Sequence, residues 1–194
     1  MIKRGFDILI STLGIALLAP VFATIALLVR IDSPGPSFFR QERIGRHFRP
    51  FKILKFRTMM HAKSDDLCLT VGEDSRITAV GRWLRRSKLD ELPQLFNVIA
   101  GDMSLVGPRP EVRRYVEMFR DDYAEILSVR PGITDLASVK YRNEAAMLGQ
   151  VNDPELLYVT RILPDKIRLA KAYLRHASFF ADLSILMKTL FSHR

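Results

Sequence analysis

The segment ILISTLGIALLAPVFATIALLV, residues 8–29, carries no charged side chain over its whole length. As one helix rising ~1.5 Å per residue it would be ~33 Å long, enough to cover the hydrocarbon core of a bilayer. A run of this length and purity constrains everything around it, because lipid satisfies no backbone polar group. It is too long for the apolar region of a secretory leader, and no small-residue cleavage site follows it, so the reading is that it is retained. Lys3 and Arg4 precede it, while Arg30, Arg40, Arg43, Arg46 and Arg49 follow it. The positive-inside rule therefore places both flanks in the cytoplasm. Pro20, near the middle, removes one helical hydrogen bond and bends the segment. Residues 1–30 are accordingly expected to form a re-entrant helical hairpin that dips into one leaflet and returns. Ser11, Thr12 and Thr24 are available to help the backbone groups freed at the bend. A kinked single span and a buried core helix are the two alternatives.

Residues 31–194 are expected to form one cytoplasmic domain continuous with this anchor. The chain of 194 residues is long enough for one sizeable core, and its formal net charge of +9 points to an anionic partner: phosphate, lipid headgroups or nucleic acid. A single cysteine, Cys68, excludes an internal disulfide framework and reads as inert, and four dispersed histidines show no zinc spacing. "DSPGPSFF" at 32–39 reads as a turn. Residues 38–44 and 50–58 read as a short antiparallel hairpin around Gly45, and the polar stretch "HAKSDDLCLTVGEDSR" as a loop with a short helix. Apolar residues from Val112 to Leu127 recur at helical spacing, predicting one helix over 111–129 that "RPGIT" stops. Residues 155–191 predict two or three amphipathic helices, broken at Pro164 and near Ser178. These serve either as core or as membrane-interface helices. The expected fold class is thus α+β, mainly α.

The most informative stretch is "RRSKLDELPQLFNVIAGDMSLVGPRPE", residues 85–111. Proline is tolerated in a helix only in its first turn, so Pro93 predicts a helix starting at or near Asp90. An aspartate there is a plausible N-cap, and a first-turn Glu91 suits the helix dipole. The surroundings argue for more than capping. Arg82, Arg85, Arg86 and Lys88 precede the acid pair, and a rigid Pro108–Arg109–Pro110 turn follows it. Arginine grips phosphate with a planar fork. A carboxylate among such cations has two chemical uses: it holds a Mg²⁺ ion that bridges to phosphate, or it attacks phosphorus as a nucleophile.

"RGFDILIS", "KILKFRTM", "LDELPQLFNVIAGDMSLVGPRPE" and "VRPGIT" stand in the order and spacing of the bacterial sugar transferases, the monotopic phosphoglycosyl transferases, which the chain resembles over nearly its whole length. The resemblance implies transfer of a sugar 1-phosphate from a UDP-sugar to a membrane polyprenyl phosphate, with release of UMP. It also implies a re-entrant anchor, Mg²⁺, and residence at the cytoplasmic face of the bacterial inner membrane, in exopolysaccharide, O-antigen or glycoprotein glycan assembly. Nucleic acid is not an expected partner, and a homo-oligomer is left open. Matched to the family's motifs, Asp90 is the nucleophile that forms a covalent phosphosugar intermediate. Glu91 is its partner, and either carboxylate is a candidate Mg²⁺ ligand. Arg85 and Arg109 fall where the family binds diphosphate or nucleotide, and Lys55, Arg57, Arg142 and Asn143 are further candidates.

The chain departs from the family pattern in one place. Where many relatives read "RPGITGLAQVNGRN", it reads "RPGITDLASVKYRNE", replacing two glycines by Asp135 and Tyr141 and a glutamine by Ser138. This adds bulk and removes backbone freedom near the donor pocket, so the resemblance does not extend to the sugar. Two other classes compete: a membrane-tethered basic module without catalysis, which leaves the acid pair and the rigid arginine turn without a role, and a membrane phosphohydrolase, in which water replaces the lipid acceptor.

Overall fold

The computed structural model describes residues 2–60 and 74–191, so Cys68 and most of the expected polar loop lie outside the described residues. The apolar segment is α1 (Ile2–Asp32), helical throughout, Pro20 included. A hairpin of β1 (Phe38–Ile44) and β2 (Pro50–Phe56) follows, antiparallel with Phe38 opposite Phe56 and Ile44 opposite Pro50. Next come α2 (Ala79–Ser87), α3 (Gln94–Ala100) and β3 (Ser104–Val106), then α4 (Arg113–Met118) and α5 (Arg120–Ile126). β4 (Gly132–Thr134) pairs in parallel with β3. Five α-helices complete the described chain: α6 (Leu136–Lys140), α7 (Glu144–Leu148), α8 (Pro154–Leu157), α9 (Leu163–Arg175) and α10 (Phe179–Phe191).

α1 packs against the rest of the protein along one stripe. Asp7, Ser11, Phe22, Ile25 and Val29 are buried, Leu18 joins the cluster of Phe22, Phe56 and Leu84, and a Cβ added at Gly14 would touch Leu95 at 3.5 Å. The steps 7, 11, 14, 18, 22, 25, 29 are those of one helix face. The opposite face, with Leu9, Leu13, Leu17 and Leu28, is bare.

Both ends of this helix, about 46 Å apart at ~1.5 Å per residue, are fastened to the same domain. At the first end Lys3 pairs with Asp182 and donates to the Val106 carbonyl at 3.0 Å. Arg4 donates to the carbonyls of Ile99 and Met103 at 3.3 and 3.4 Å. Buried Asp7 accepts from Ser104 Oγ at 2.7 Å and from the Leu105 N–H at 3.4 Å. At the far end, the Arg57 guanidinium donates to the carbonyls of Val29, Ser33 and Pro34 at 3.3, 2.6 and 2.8 Å and to Ser33 Oγ at 2.9 Å. The Val29 carbonyl also accepts from the Ser33 N–H at 3.3 Å, so Arg57 adds a second donor to the last turn of α1 and binds the two residues just past its end. Asp32 Oδ2 accepts from the Val80 N–H at 3.1 Å.

The expected hairpin of strands is present at 38–44 and 50–56. The single helix expected over 111–129 is two, because Phe119 (φ −120, ψ 41) interrupts it; Tyr115, Val116, Tyr123, Ile126 and Leu127 remain buried in one core with Tyr158, Ile162 and Leu163. Pro164 does not break its region. It sits in the first turn of α9, where its missing N–H is tolerated, after a wide π-turn at Tyr158–Ile162. The two last helices differ in exposure. α9 buries Leu163, Ile167, Ala170 and Tyr173, whereas α10 exposes Phe179, Phe180, Leu183, Met187 and Phe191.

Replacing Arg57 by leucine would leave the buried Ser33 carbonyl without its donor and remove one donor each from the carbonyls of Val29 and Pro34. We expect a loss of about 2 kcal/mol, read as a lower apparent Tm.

Candidate active site

α2 ends at Lys88, a left-handed residue (φ 58, ψ 15) that turns the chain sharply into a single 3₁₀ turn, Leu89–Glu91. The Leu92 N–H donates to the Leu89 carbonyl at 3.2 Å, so that acceptor is filled and the missing N–H of Pro93 deprives it of nothing. α3 then continues from Gln94. The acid pair therefore lies in a tight lead-in turn rather than at a helix cap, and neither carboxylate makes a capping bond.

Two elements bring cations to this turn. β2 is stitched to α3 by Asn97, whose Oδ1 accepts from the Leu54 N–H and whose Nδ2 donates to the Lys52 carbonyl, both at 2.9 Å. The next residue, Lys55, reaches Glu91 Oε1 at 2.8 Å. From the other side the Pro108–Arg109–Pro110 turn delivers a fork: Arg109 Nη2 lies 2.5 Å from Glu91 Oε1 and Nη1 3.2 Å from Oε2. That turn is fixed by the close approach of β3 and β4, where a Cβ on Gly132 would fall 2.1 Å from the Gly107 nitrogen. Arg85, on α2, donates from Nε to Thr58 Oγ1 at 2.8 Å, and Gly81 lets α2 approach so near that a Cβ there would meet the Thr58 carbonyl oxygen at 2.1 Å.

The two carboxylates end in opposite electrostatic states. Burial would raise the Glu91 carboxyl, but Arg109 and Lys55 outweigh it and hold the group well below the usual carboxylate range. Asp90, also buried, is raised above its ordinary value by burial, Lys55 and Arg85 opposing this and the charge of Glu91 adding to it. Its Oδ1 has no hydrogen-bond partner. Burial lowers the Lys55 ammonium despite Glu91, and Glu91 keeps the Arg109 guanidinium charged. The arrangement offers one carboxylate already neutralised by two cations and another whose oxygen is available for a bond.

Of the expected residues, the structure thus brings Asp90, Glu91, Lys55 and Arg109 together, with Arg85 close enough to Asp90 to act on its charge. Arg57 is directed elsewhere, onto the end of α1. Arg142 and Asn143 occupy the turn between α6 and α7, half-buried and exposed respectively. Thr58 and Asn97 were not anticipated, and Asp135 was read as a departure from the family pattern rather than as a group that bonds to the Arg109 main chain. For Asn97 a signal existed: with Gln94 it forms a polar i, i+3 pair in an otherwise apolar helix, and both are buried. Gln94 makes no hydrogen bond through either amide atom.

Among the described residues no group of three metal-binding side chains occurs. The unpartnered Asp90 oxygen fits as one ligand of an ion such as Mg²⁺, which commonly takes one or two carboxylates and completes its shell with phosphate and water. Glu91, with both oxygens held by cations, fits less well unless one of them lets go.

Comparison with known proteins identifies the family. An N-acetylgalactosaminephosphotransferase of Aeromonas hydrophila, named for UDP-N-acetylgalactosamine and undecaprenyl phosphate, is 39% identical over 193 residues, covering 97% of this chain and 43% of that protein. UDP-glucose:undecaprenyl-phosphate glucose-1-phosphate transferases of Escherichia coli (strain K12) and Caulobacter vibrioides are 37% and 39% identical, over 98% and 97% of this chain and 40% and 68% of theirs. The chain thus spans about two-fifths of the length of the first two. The model of the bacterial sugar transferase family matches residues 1–193, and the chain belongs to that family.

Proposed function

We propose that the protein transfers a hexose 1-phosphate from a UDP-hexose to a membrane polyprenyl phosphate, releasing UMP. The observation that carries this reading is the pairing of a buried, unpartnered Asp90 oxygen with an adjacent Glu91 locked between Lys55 and Arg109. A site that only bound anions would have no use for a carboxylate with a free oxygen. The relatives are named for glucose and for N-acetylgalactosamine, so the donor is taken at the level of UDP-hexose.

In the first half-reaction an Asp90 oxygen attacks the phosphorus that bears the sugar. The bond from that phosphorus to the bridging oxygen breaks, and UMP departs with the electron pair. Arg109 and Arg85 offer planar donors to the phosphate oxygens, and Lys55 adds a point charge. Glu91 aims the Arg109 fork and balances the cations while the site is empty. In the second half-reaction a phosphate oxygen of the acceptor attacks the same phosphorus and frees Asp90. Asp90 would be the residue to hold Mg²⁺ through the oxygen that does not attack, and the ion would supply charge neutralisation for the diphosphate.

The acceptor's location fits α1. A helix fastened at both ends to one domain cannot place those ends on opposite sides of a membrane without carrying the domain through it. We infer that α1 enters a single leaflet from the cytoplasmic face of the inner membrane and returns to it, Pro20 allowing a bend, with the bare leucine face and the apolar face of α10 against lipid.

Three outcomes test this reading. Arg109→Lys keeps the charge and loses the fork, and is expected to lower kcat/KM for UMP release at least tenfold, about 1.4 kcal/mol; normal activity would make the arginine structural. Wild-type protein given UDP-hexose and Mg²⁺ without acceptor is expected to release no more than about one UMP per site in a burst, and to show ping-pong kinetics with undecaprenyl phosphate present. Asp90→Asn should abolish the burst, and intersecting kinetics with no protein-bound sugar would overturn the covalent route. In a Cys68→Ser background, Ile2→Cys and Ile31→Cys should both resist an impermeant thiol reagent in intact cells and react after solubilisation. Labelling of either from outside would favour a span.

A further inference from the structure

Asp135 is 4% exposed and divides its carboxylate between two partners. Oδ1 accepts from the Ser138 N–H at 2.6 Å, capping α6, and Oδ2 accepts from the Arg109 N–H at 3.2 Å. The second bond is unusual in its target. Pro108 and Pro110 have no N–H, so Arg109 supplies the sole main-chain donor of its three-residue turn. The turn is held on its other positions as well: the Gly107 N–H donates to the Thr134 carbonyl at 3.1 Å and the Gly132 N–H to the Pro108 carbonyl at 3.0 Å. Residues 107, 108 and 109 are thus each tied to the segment 132–135. α6 is braced in turn, since the Tyr141 hydroxyl and the Lys140 ammonium both donate to Asp165 Oδ2, at 2.8 and 2.6 Å. A cavity of about 20 Å³, room for one water, is lined by Arg109 and Asp135 together with Glu111, Tyr123 and Lys166 among others.

A buried anion beside a phosphate site opposes anion binding by its charge, so an N-cap role alone explains it poorly; serine would cap α6 without the charge. We infer that Asp135 is a positioning residue for Arg109: it fixes the main chain of the Pro108–Arg109–Pro110 turn so that the guanidinium is aimed before the donor arrives. Small displacements of such groups have large effects on rate. The inference rests on the proposed role of Arg109 at the donor diphosphate.

The test is a double-mutant cycle on the full chain, with UMP release measured in the presence of undecaprenyl phosphate and with UDP-glucose or UDP-N-acetylgalactosamine, whichever supports turnover. Asp135→Ser keeps an α6 cap and cannot reach the Arg109 N–H. It is expected to leave the apparent Tm within about 2 °C, lower kcat/KM about tenfold with most of the loss in kcat, and add less than a further twofold in the Arg109→Lys background. Activity of Asp135→Ser within twofold of wild type, or above it, overturns the inference. So does a full tenfold loss on top of Arg109→Lys, which would mark an independent structural effect. Should Asp135→Ser fail to fold, Asp135→Asn, which keeps the size and the cap but turns an amide N–H₂ toward Arg109, must show the same coupling; failure of both to fold overturns the inference. Arg109→Lys with normal UMP release defeats the reading of Arg109 instead, whereas an impaired Arg109→Lys beside a wild-type Asp135→Ser defeats only the role of Asp135.

Discussion

Glu91 joins three parts of the chain that are distant in sequence: its own turn, Lys55 at the end of β2, and Arg109 between two prolines. Removing water from two carboxylates in adjacent positions is unfavourable unless cations replace it. The protein supplies both cations to one carboxylate and leaves the other nearly bare. That asymmetry separates the two acids more than their chain positions could. The first is ionised and immobile, and the second is the group with an oxygen to give. If either cation were lost, Glu91 would keep one ion partner in place of two and the adjacent buried carboxylates would repel each other with less opposing charge, so the geometry of the site and the stability of its surroundings are one problem.

α3 is the element through which this site reaches the apolar side of the molecule. At its start stands the acid pair. Along its length Leu95 meets α1 at Gly14, Phe96 lies edge-on to Phe22 with ring centroids 5.7 Å apart, and its Ile99 carbonyl receives Arg4. Asn97 holds the same helix to β2 and so fixes the distance from Lys55 to Glu91. One short helix therefore sets the placement of the reactive carboxylates relative to both the cations and the apolar helix. A polyprenyl phosphate, whose charged end lies at the lipid surface, is the kind of acceptor that such a placement suits.

Strong local signals survived the comparison with structure. The uncharged segment, the β-hairpin around Gly45 and the break near Ser178 were all legible, because charge patterning and turn residues act within a few positions. The break at Phe119 was not, since its neighbours keep helical spacing on both sides and only packing against α9 distinguishes two helices from one. The parallel pairing of β3 with β4 was equally hidden: three-residue strands have too little pattern to read, and what fixes them is the contact between Gly107 and Gly132. In the site, Asp90, Glu91, Lys55 and Arg109 were legible as charges in a rigid context. The bonds that Asn97, Thr58 and Asp135 make were not, because they reach atoms that the sequence cannot place nearby, although the polar Gln94/Asn97 pair and the departure at Asp135 were visible.

Net charge illustrates the same limit. A formal +9 suggests a surface arranged for anions, yet several arginines are engaged with the protein's own carbonyls: Arg4 on α3, Arg57 on the end of α1, Arg46 on Ser128 and Arg130 on Gly101. These guanidiniums fasten helix ends and turns, a structural use that composition counts equally with recognition. Arg57 and Arg109 show how little the residue type decides. Each comes soon after a strand, β2 for Arg57 and β3 for Arg109. Arg57 meets a helix C-terminus, whose carbonyls present partial negative charge, and becomes a fastening. Arg109 meets a carboxylate beside an unpartnered acid and becomes part of a site. The partner's charge, a full unit in one case and a set of dipoles in the other, separates the two roles.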